Sequence, residues 1–395
     1  MQRRSKIPIA KAYIAGAFEH PTRKAVDKTV PQLHAEVALG ALQDAGLTKD
    51  DVDGYFCAGD APGLGGIGMA EYMGLDLRHI DSTETGGSSY VLHVGHAVEA
   101  IAAGRCSVAL VTLAGRPRAE GVATLGARNY GAGVPDVGFE HPYGPVITNL
   151  YAMAAMRHMH EYGTTSEQLA WIKVAASHHA QYNERAVLRD VVTVEDVLNS
   201  PMIADPLHRL DCCVISDGGG ALVIVTPEIA KAIGIRCVKV LGHGEAIKHL
   251  NGGKVDLTYT GAVKSGPLAF AEAGVTHADI DYVSIYDSFT ITVLETLEDL
   301  GFCAKGKGGP FVADGNLISG VGKLPFNTDG GGLCNNHPNN RGGMTKVIEA
   351  VRQLRGEAHP KVQVPDCTFA LAHGTGGSIG TRMGSATVIL GRNDA

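Results

Sequence analysis

The sequence predicts an α/β protein assembled from two similar halves, and three observations carry that expectation. One is length: a chain of 395 residues outgrows a single ordinary core and is expected to divide. The second is an internal recurrence. ALQDAGLTKDDVDGYFC, Ala41 to Cys57, returns as AFAEAGVTHADIDYVSIY, Ala269 to Tyr286. Ala41, Ala45, Gly46, Thr48, Asp51 and Asp53 match Ala269, Ala273, Gly274, Thr276, Asp279 and Asp281 at one constant offset. The third is the 52 glycines, clustered in GGSS, DGGGA, TDGGGL and HGTGGSIG, which mark positive φ or close backbone approach.

Each copy of the recurrence reads as an amphipathic helix, a glycine C-cap, a short turn and a strand. A second pair repeats the plan. HAVEAIAAGRCSVALVTL, His96 to Leu113, reads as a helix followed by a buried β-branched strand. TKVIEAVRQLRGE, Thr345 to Glu357, followed by DCTFALAHG, Asp366 to Gly374, does the same, and glycine-rich turns precede both helices. The halves are expected at 1–118 plus 209–235 and at 236–395, each a mixed sheet covered by helices on both faces. Between them, 119–208 reads as an inserted loop domain, with helical patterns around Tyr151 to Tyr162 and Ser166 to Arg185. Insertions on a rigid scaffold carry specificity, and Tyr151, Met153, Met156 and Phe139 make part of this one apolar.

Composition narrows the function. The chain is 45% apolar and 19% charged with net charge -7, which argues against a nucleic-acid surface, where a basic stripe is expected. No apolar run approaches the roughly 20 residues that cross a bilayer. The start has positive charges but no signal core with a cleavage site, so a cytoplasmic protein is expected. Eight cysteines lack CxxC or metal-like spacing, apart from the adjacent Cys212 and Cys213, and read as buried thiols with no metal site.

Chemistry concentrates in four glycine-rich turns. In DSTETGGSSY, Asp81 to Tyr90, Thr83 and Thr85 can cap a helix and Glu84 sits near its positive end. That turn is either a plain N-cap or a place where a reacting oxygen meets helix amides. In SIYDSFT, Ser284 to Thr290, Tyr286 and Asp287 lie where a strand leaves the sheet, a common ligand edge. In NTDGGGLCNNHPNNRGG, Asn327 to Gly343, His337 precedes Pro338, which suits a fixed general base. In LAHGTGGSIGT, Leu371 to Thr381, His373 and the amides of Gly374 to Gly377 offer donors to an oxyanion. A lone tyrosine or histidine is more often a packed, satisfied residue. Two histidines in glycine-rich turns of one half shift the reading toward chemistry.

At these turns, and through HEYGTTSEQLA (160–170), VEDVLNSPMIADPL (194–207) and LDCCVISDGGGALV (210–223), the sequence resembles the thiolase superfamily. It is most similar to the sterol-carrier-protein-type thiolases and their lipid-transfer relatives. The resemblance implies a five-layer αβαβα fold with internal duplication and an inserted loop domain. It also implies a homodimer and an acyl-CoA substrate, with coenzyme A entering as part of that substrate and no tightly bound cofactor. The nucleophilic cysteine of the family aligns with Thr83, or with Glu84 in a register one residue later. A threonine hydroxyl has almost no anionic population near neutral pH. The family's H/N-x-x-F turn appears as Tyr286-Asp287-Ser288-Phe289, and its N-x-x-GG segment as Asn327 to Gly331. The G-H-P segment appears as Asn336-His337-Pro338, so His337 inherits the catalytic histidine position. His373 stands where many thiolases place a second cysteine, with Gly374 and Gly376 beside it as oxyanion residues.

A retro-Claisen cleavage needs a nucleophile to accept the acyl group, whereas a retro-aldol cleavage needs only a base and donors for the enolate. The expected reaction is therefore reversible carbon–carbon cleavage of a 3-hydroxyacyl-CoA. Tyr286 and His337 would exchange protons, and His373 with the turn amides near Thr83 would hold the enolate. Lipid-transfer-type aldolases share the tyrosine of the YDSF turn and typically work with a small DUF35-type partner of OB-fold and zinc-ribbon build. A further tyrosine expected near the N-H-P turn is replaced by Asn339 and Asn340. The alternatives are a Claisen-type acetyltransferase, with Cys334 as the thiol nearest the chemistry in sequence, and a non-catalytic acyl-CoA binder.

Overall fold

A computed structural model describes residues 10–121, 143–144, 146–234, 236–249, 254–339, 341–379 and 383–393; Phe139 lies outside them. The first half runs β1 (Ala12–Glu19), α1 (Val30–Ala45), β2 (Gly54–Phe56), α2 (Gly66–Met73), β3 (His79–Asp81), α3 (Ser89–Ala102) and β4 (Val108–Gly115). There follow α4 (Ile147–Tyr162), α5 (Ser166–Ala180), α6 (Val194–Leu198) and the small hairpin β5 (Met202–Ala204) with β6 (Leu207–His208). The chain then returns to the first sheet with β7 (Gly218–Val225) and α7 (Pro227–Ile233). The second half is β8 (Val238–Lys248), α8 (Ala262–Ala273), β9 (Tyr282–Ile285), α9 (Thr290–Asp299), α10 (Gly308–Val312), α11 (Gly331–Cys334), α12 (Gly343–Arg355), β10 (Phe369–Gly377) and β11 (Met383–Gly391).

The recurrence folds as one device used twice. Gly46 and Gly274 close α1 and α8 in the left-handed region, at φ 69° and 64°. In the turns that follow, the hydroxyls of Thr48 and Thr276 donate to Asp51 and Asp279, at 2.9 and 2.7 Å. Asp53 then accepts the amides of Ser107 and Val108 at 2.8 and 2.9 Å, fixing the start of β4. Asp281 does the same for β10 through Thr368 and Phe369, at 2.7 and 3.1 Å. The duplicated aspartate thus sets which strand lies beside its own.

The strands join in one nine-stranded sheet, ordered β3-β2-β4-β7-β1-β8-β11-β10-β9. The two half-sheets meet where β1 pairs antiparallel with β8, Ala12 opposite Val240. Outward from that seam β7 mirrors β11, β4 mirrors β10 and β2 mirrors β9. Period-two alternation sorts the side chains into layers. Ala109, Val111 and Leu113 of β4 and Ala370 and Ala372 of β10 pack on one central cluster with α3 and α12. Val108 and Leu110 turn outward to α1. Phe369 and Leu371 turn outward to α8, α9 and the inserted helices α4 and α5. Helix, sheet, paired central helices, sheet and helix make five layers, the αβαβα duplication expected. Among the described residues no helix is long and apolar enough to cross a membrane.

Candidate active site

The two central helices begin side by side, and glycines make that approach possible. A Cβ on Gly343, the first residue of α12, would stand 2.1 Å from the Gly87 carbonyl oxygen, just ahead of α3. One on Gly376 would stand 1.6 Å from the Thr85 carbonyl oxygen, and one on Gly374 3.1 Å from the Ser88 Cα. The end of β10 therefore lies directly on the turn that opens α3. Tyr286, leaving β9, fills the remaining space: a Cβ on Gly87 would be 2.5 Å from its ring and 2.6 Å from its hydroxyl.

Here the Tyr286 hydroxyl meets His337 Nε2 at 2.8 Å, both residues buried. Their rings stand nearly perpendicular, at 78°, with centroids 5.4 Å apart. His337 is pinned from behind. Its amide donates to Ser216 Oγ at 2.8 Å, and that hydroxyl donates to Asn336 Oδ1 at 2.5 Å. Its Nδ1 lies 3.6 Å from Cys213 Sγ. Burial pushes the Tyr286 phenol far above its ordinary value, with Cys213 and Tyr151 adding to the rise. The Gly342 amide, next to the start of α12, and Arg341 pull it back only in part. Tyr286 thus keeps its proton, and the direction of its bond to His337 is set by the imidazole's tautomer.

Other expected residues serve this pair without joining it. Asp287 accepts the amides of Gly332 and Leu333 at 2.8 and 3.1 Å and ion-pairs with buried Lys346 at 2.8 Å. It anchors α11 and α12 to the tyrosine turn, and so committed a carboxylate is not a mobile proton carrier. Asn327, at φ 39°, spends its amide on the Ile285 backbone, with both bonds 2.8 Å. It clamps the end of β9 and does not present that amide to an oxyanion. Thr83 donates to Asp81 Oδ1 at 2.6 Å. Glu84 accepts the amides of Gly59 and Gly86, each at 2.5 Å, and pairs with Arg341 at 2.6 Å. Cys334 is buried, and its sulfur accepts from Lys173 Nζ at 3.0 Å.

His373 is a correction. The strand β10 extends through Gly377, so His373 is a mid-strand residue and alternation turns it to the outer face, away from Tyr286. Its Nδ1 meets Thr387 Oγ1 at 2.8 Å, and Thr387 in turn meets Ser265 of α8. Burial pushes the imidazole down to about 3, so it is neutral at physiological pH. Gly374 and Gly376 do lie at the site, through close backbone packing.

Cys213 and Ser216, neither marked by the sequence pattern as a site residue, complete the site together with Tyr151, which the sequence placed only in the apolar part of the insertion. Cys213 and Ser216 both touch His337; the adjacent cysteines of LDCCVISDGGG were the signal available. Tyr151, from α4, stacks on Phe289 with centroids 4.4 Å apart and bears on Tyr286 electrostatically. It brings a second tyrosine to Tyr286 by a tertiary contact that no spacing announces. Beside Cys213 opens a cavity of about 530 Å³. Its wall is apolar at Leu188, Ile203, Leu210 and Val214, with exposed Arg118 and Arg209 on its lining. Glu99, His243 and Glu272 gather metal-type donors at the surface, but Lys11 already pairs with both carboxylates, at 3.5 and 2.9 Å.

This architecture has relatives. Residues 244–392 match the family described as thiolase C-terminal domain-like. Over 363 residues the chain is 34% identical to an acetyl-CoA acetyltransferase of Methanothermobacter thermautotrophicus, covering 90% of this chain and 93% of that one. The chain belongs to the thiolase superfamily. Among thiolase-superfamily proteins it is also 35% identical, over 365 residues, to a steroid side-chain-cleaving aldolase of Thermomonospora curvata, covering 89% and 92% of the two. The solved structure of an Ltp2-ChsH2(DUF35) aldolase superimposes with a TM-score of 0.87 at 33% identity, covering 98% of this chain and 99% of that one.

Proposed function

We propose that this thiolase-superfamily enzyme is an acyl-CoA lyase that cleaves 3-hydroxyacyl-CoA by a reversible retro-aldol route, without an acyl-enzyme. The observation that carries the reading is the 2.8 Å hydrogen bond between Tyr286 and His337, in a mouth whose Thr83 hydroxyl is tied to Asp81. The substrate's β-hydroxyl gives its proton to Tyr286 as Tyr286 gives its own to His337 Nε2. The bond between the α and β carbons breaks, and its electron pair passes into the thioester as an enolate. An aldehyde or ketone leaves, and the proton taken up by His337 is returned to the α carbon, which yields the shortened acyl-CoA and restores the neutral pair. Backbone amides at the start of α12 supply the positive field that an enolate oxygen requires.

The steroid side-chain-cleaving aldolase supports this chemistry, as does the aldolase whose structure superimposes. The apolar cavity beside Cys213 suits the acyl part, and Arg118 and Arg209 suit the phosphates of coenzyme A. Likeness to an Ltp2-ChsH2(DUF35) aldolase supports a DUF35-type partner for this chain too. A homodimer and a cytoplasmic location complete the reading. The acetyltransferase relative favours acyl transfer as the second reading, but Cys334, buried and bonded to Lys173, is unsuited to carry an acyl group.

The test uses free coenzyme A as the discriminator. The purified protein is incubated with 3-hydroxyacyl-CoA thioesters, carbonyl products are trapped as hydrazones, and shortened acyl-CoA is measured by mass spectrometry. Carbonyl release without added coenzyme A, lost in Tyr286→Phe, is expected. Cleavage of 3-oxoacyl-CoA only, and only with free coenzyme A, would establish thiolysis instead.

A further inference from the structure

We infer that Cys213 is a positioning residue, whose sulfur holds His337 in the tautomer that carries its proton on Nδ1 and leaves Nε2 as the base toward Tyr286. The inference rests on the reading of Tyr286 and His337 as the proton-transfer pair. A neutral imidazole has one N–H, and which nitrogen bears it is set by what the other meets. Nε2 faces the Tyr286 hydroxyl at 2.8 Å, and that phenol is held in its protonated form. Nδ1 faces Cys213 Sγ at 3.6 Å, a reach suited to the larger sulfur atom as acceptor. The opposite arrangement, with S–H donating to Nδ1, would put a hydrogen on Nε2 and make the tyrosine oxygen, which already takes the Gly342 amide, accept a second donor.

The surroundings keep Cys213 in this role. Its amide donates to the Ser288 carbonyl at 2.9 Å, and the Val214 amide donates to the Gly332 carbonyl at 2.9 Å. Cys212 bridges to Phe289. The thiol is thereby fixed against both turns that flank the tyrosine. Burial, with Cys212 and Asp287 adding to it, pushes the thiol well above its ordinary value, so the sulfur stays neutral. A thiolate there would draw His337 into a standing imidazolium and remove the base. A neutral sulfur fixes the ring without charging it.

The experiment compares wild type, Cys213→Ala and Cys213→Ser, each labelled with ¹⁵N-histidine, with His337→Gln used to assign the resonance. Wild type is expected to show His337 protonated on Nδ1, and Cys213→Ala to lose that preference. For carbonyl release kcat should fall about 10- to 100-fold in Cys213→Ala, by analogy with lost orienting partners elsewhere, while KM for the thioester moves far less. Cys213→Ser, which keeps an acceptor, should recover most of kcat. An unchanged tautomer and kcat in Cys213→Ala overturn the inference. So does a serine variant as slow as the alanine one, or an acyl group trapped on Cys213 during turnover. If Tyr286→Phe is inactive while Cys213→Ala is not, only this inference falls; if neither variant slows the enzyme, the underlying proton-transfer reading falls with it.

Discussion

Replacing Gly87 by alanine tests the site with one methyl group. The added carbon would stand 2.5 Å from the Tyr286 ring, 2.6 Å from its hydroxyl and 2.6 Å from the Thr375 carbonyl oxygen. Non-bonded atoms settle nearer about 3.5 Å, so the tyrosine must retreat by about 1 Å. The carbonyl belongs to β10 and yields little, which leaves the side chain to move. A retreat of that size takes the 2.8 Å contact with His337 out of hydrogen-bonding range. Misplacement by about 1 Å costs on the order of 100-fold in rate, and full loss of acid–base assistance costs about 100- to 10,000-fold. A fall in kcat within that range is expected, with overpacking lowering stability by about 1–3 kcal/mol. Carbonyl release from 3-hydroxyacyl-CoA is followed alongside thermal unfolding, so that a slow enzyme is distinguished from an unfolded one. The double variant with Tyr286→Phe should be no slower than Tyr286→Phe alone, because both break the same contact. A folded Gly87→Ala protein with the wild-type kcat would place the chemistry elsewhere.

Thr83→Ala should keep most of the carbonyl-releasing activity, since that hydroxyl is spent on Asp81; complete inactivation would sink the non-covalent route. Asp287→Ala strips two amides and leaves Lys346 buried without its partner, so urea unfolding should show a loss of about 3–5 kcal/mol. A loss below about 1 kcal/mol would refute the anchoring role. His96 is raised to about 9, chiefly by its hydrogen bond to Asp81 and then by Glu245. An unfolded histidine titrates near 6.5, so the stabilisation is complete below that pH and is lost as pH rises through about 9. His96→Gln should flatten the decline of Tm between those values, and an unchanged slope would show that other groups cause it.

Much of the fold was legible because the duplicated segment is short-range. A helix, its glycine cap, a Thr–Asp turn and a strand lie within one stretch of chain, and their residues recur in order. The seam between β1 and β8 was not legible, because strand register depends on partners far apart in sequence. Tyr286 and His337 stood out as polar residues in glycine-rich turns. Cys213 did not, since a small buried thiol looks like core and its partner His337 lies 124 residues away. The misplacement of His373 has a definite physical source. Gly374 to Gly377 were read as a turn, but they continue a strand, and Gly374 and Gly376 are glycine because the start of α3 leaves no room for side chains. Glycine signalled close approach there, and reading it as a turn moved a mid-strand histidine into the site.

The absence of a cysteine from the turn at Thr83 and Glu84, taken alone, removes one atom from an acyl-transfer mechanism. The charges around its position argue for more than that. Glu84 places a carboxylate on the Gly86 amide at 2.5 Å, so an anion of the protein itself already occupies part of the positive mouth of α3. Arg341 balances it at 2.6 Å and ties that turn to the segment that carries His337. A thiolate generated there would face a neighbouring carboxylate, and its acidity would fall accordingly. The Tyr286–His337 pair meets no such obstacle, because it passes a proton and forms no bond to the acyl group. The mouth is thus arranged against covalent capture of an acyl group and in favour of proton transfer beside it, which is the division of labour that a retro-aldol cleavage requires.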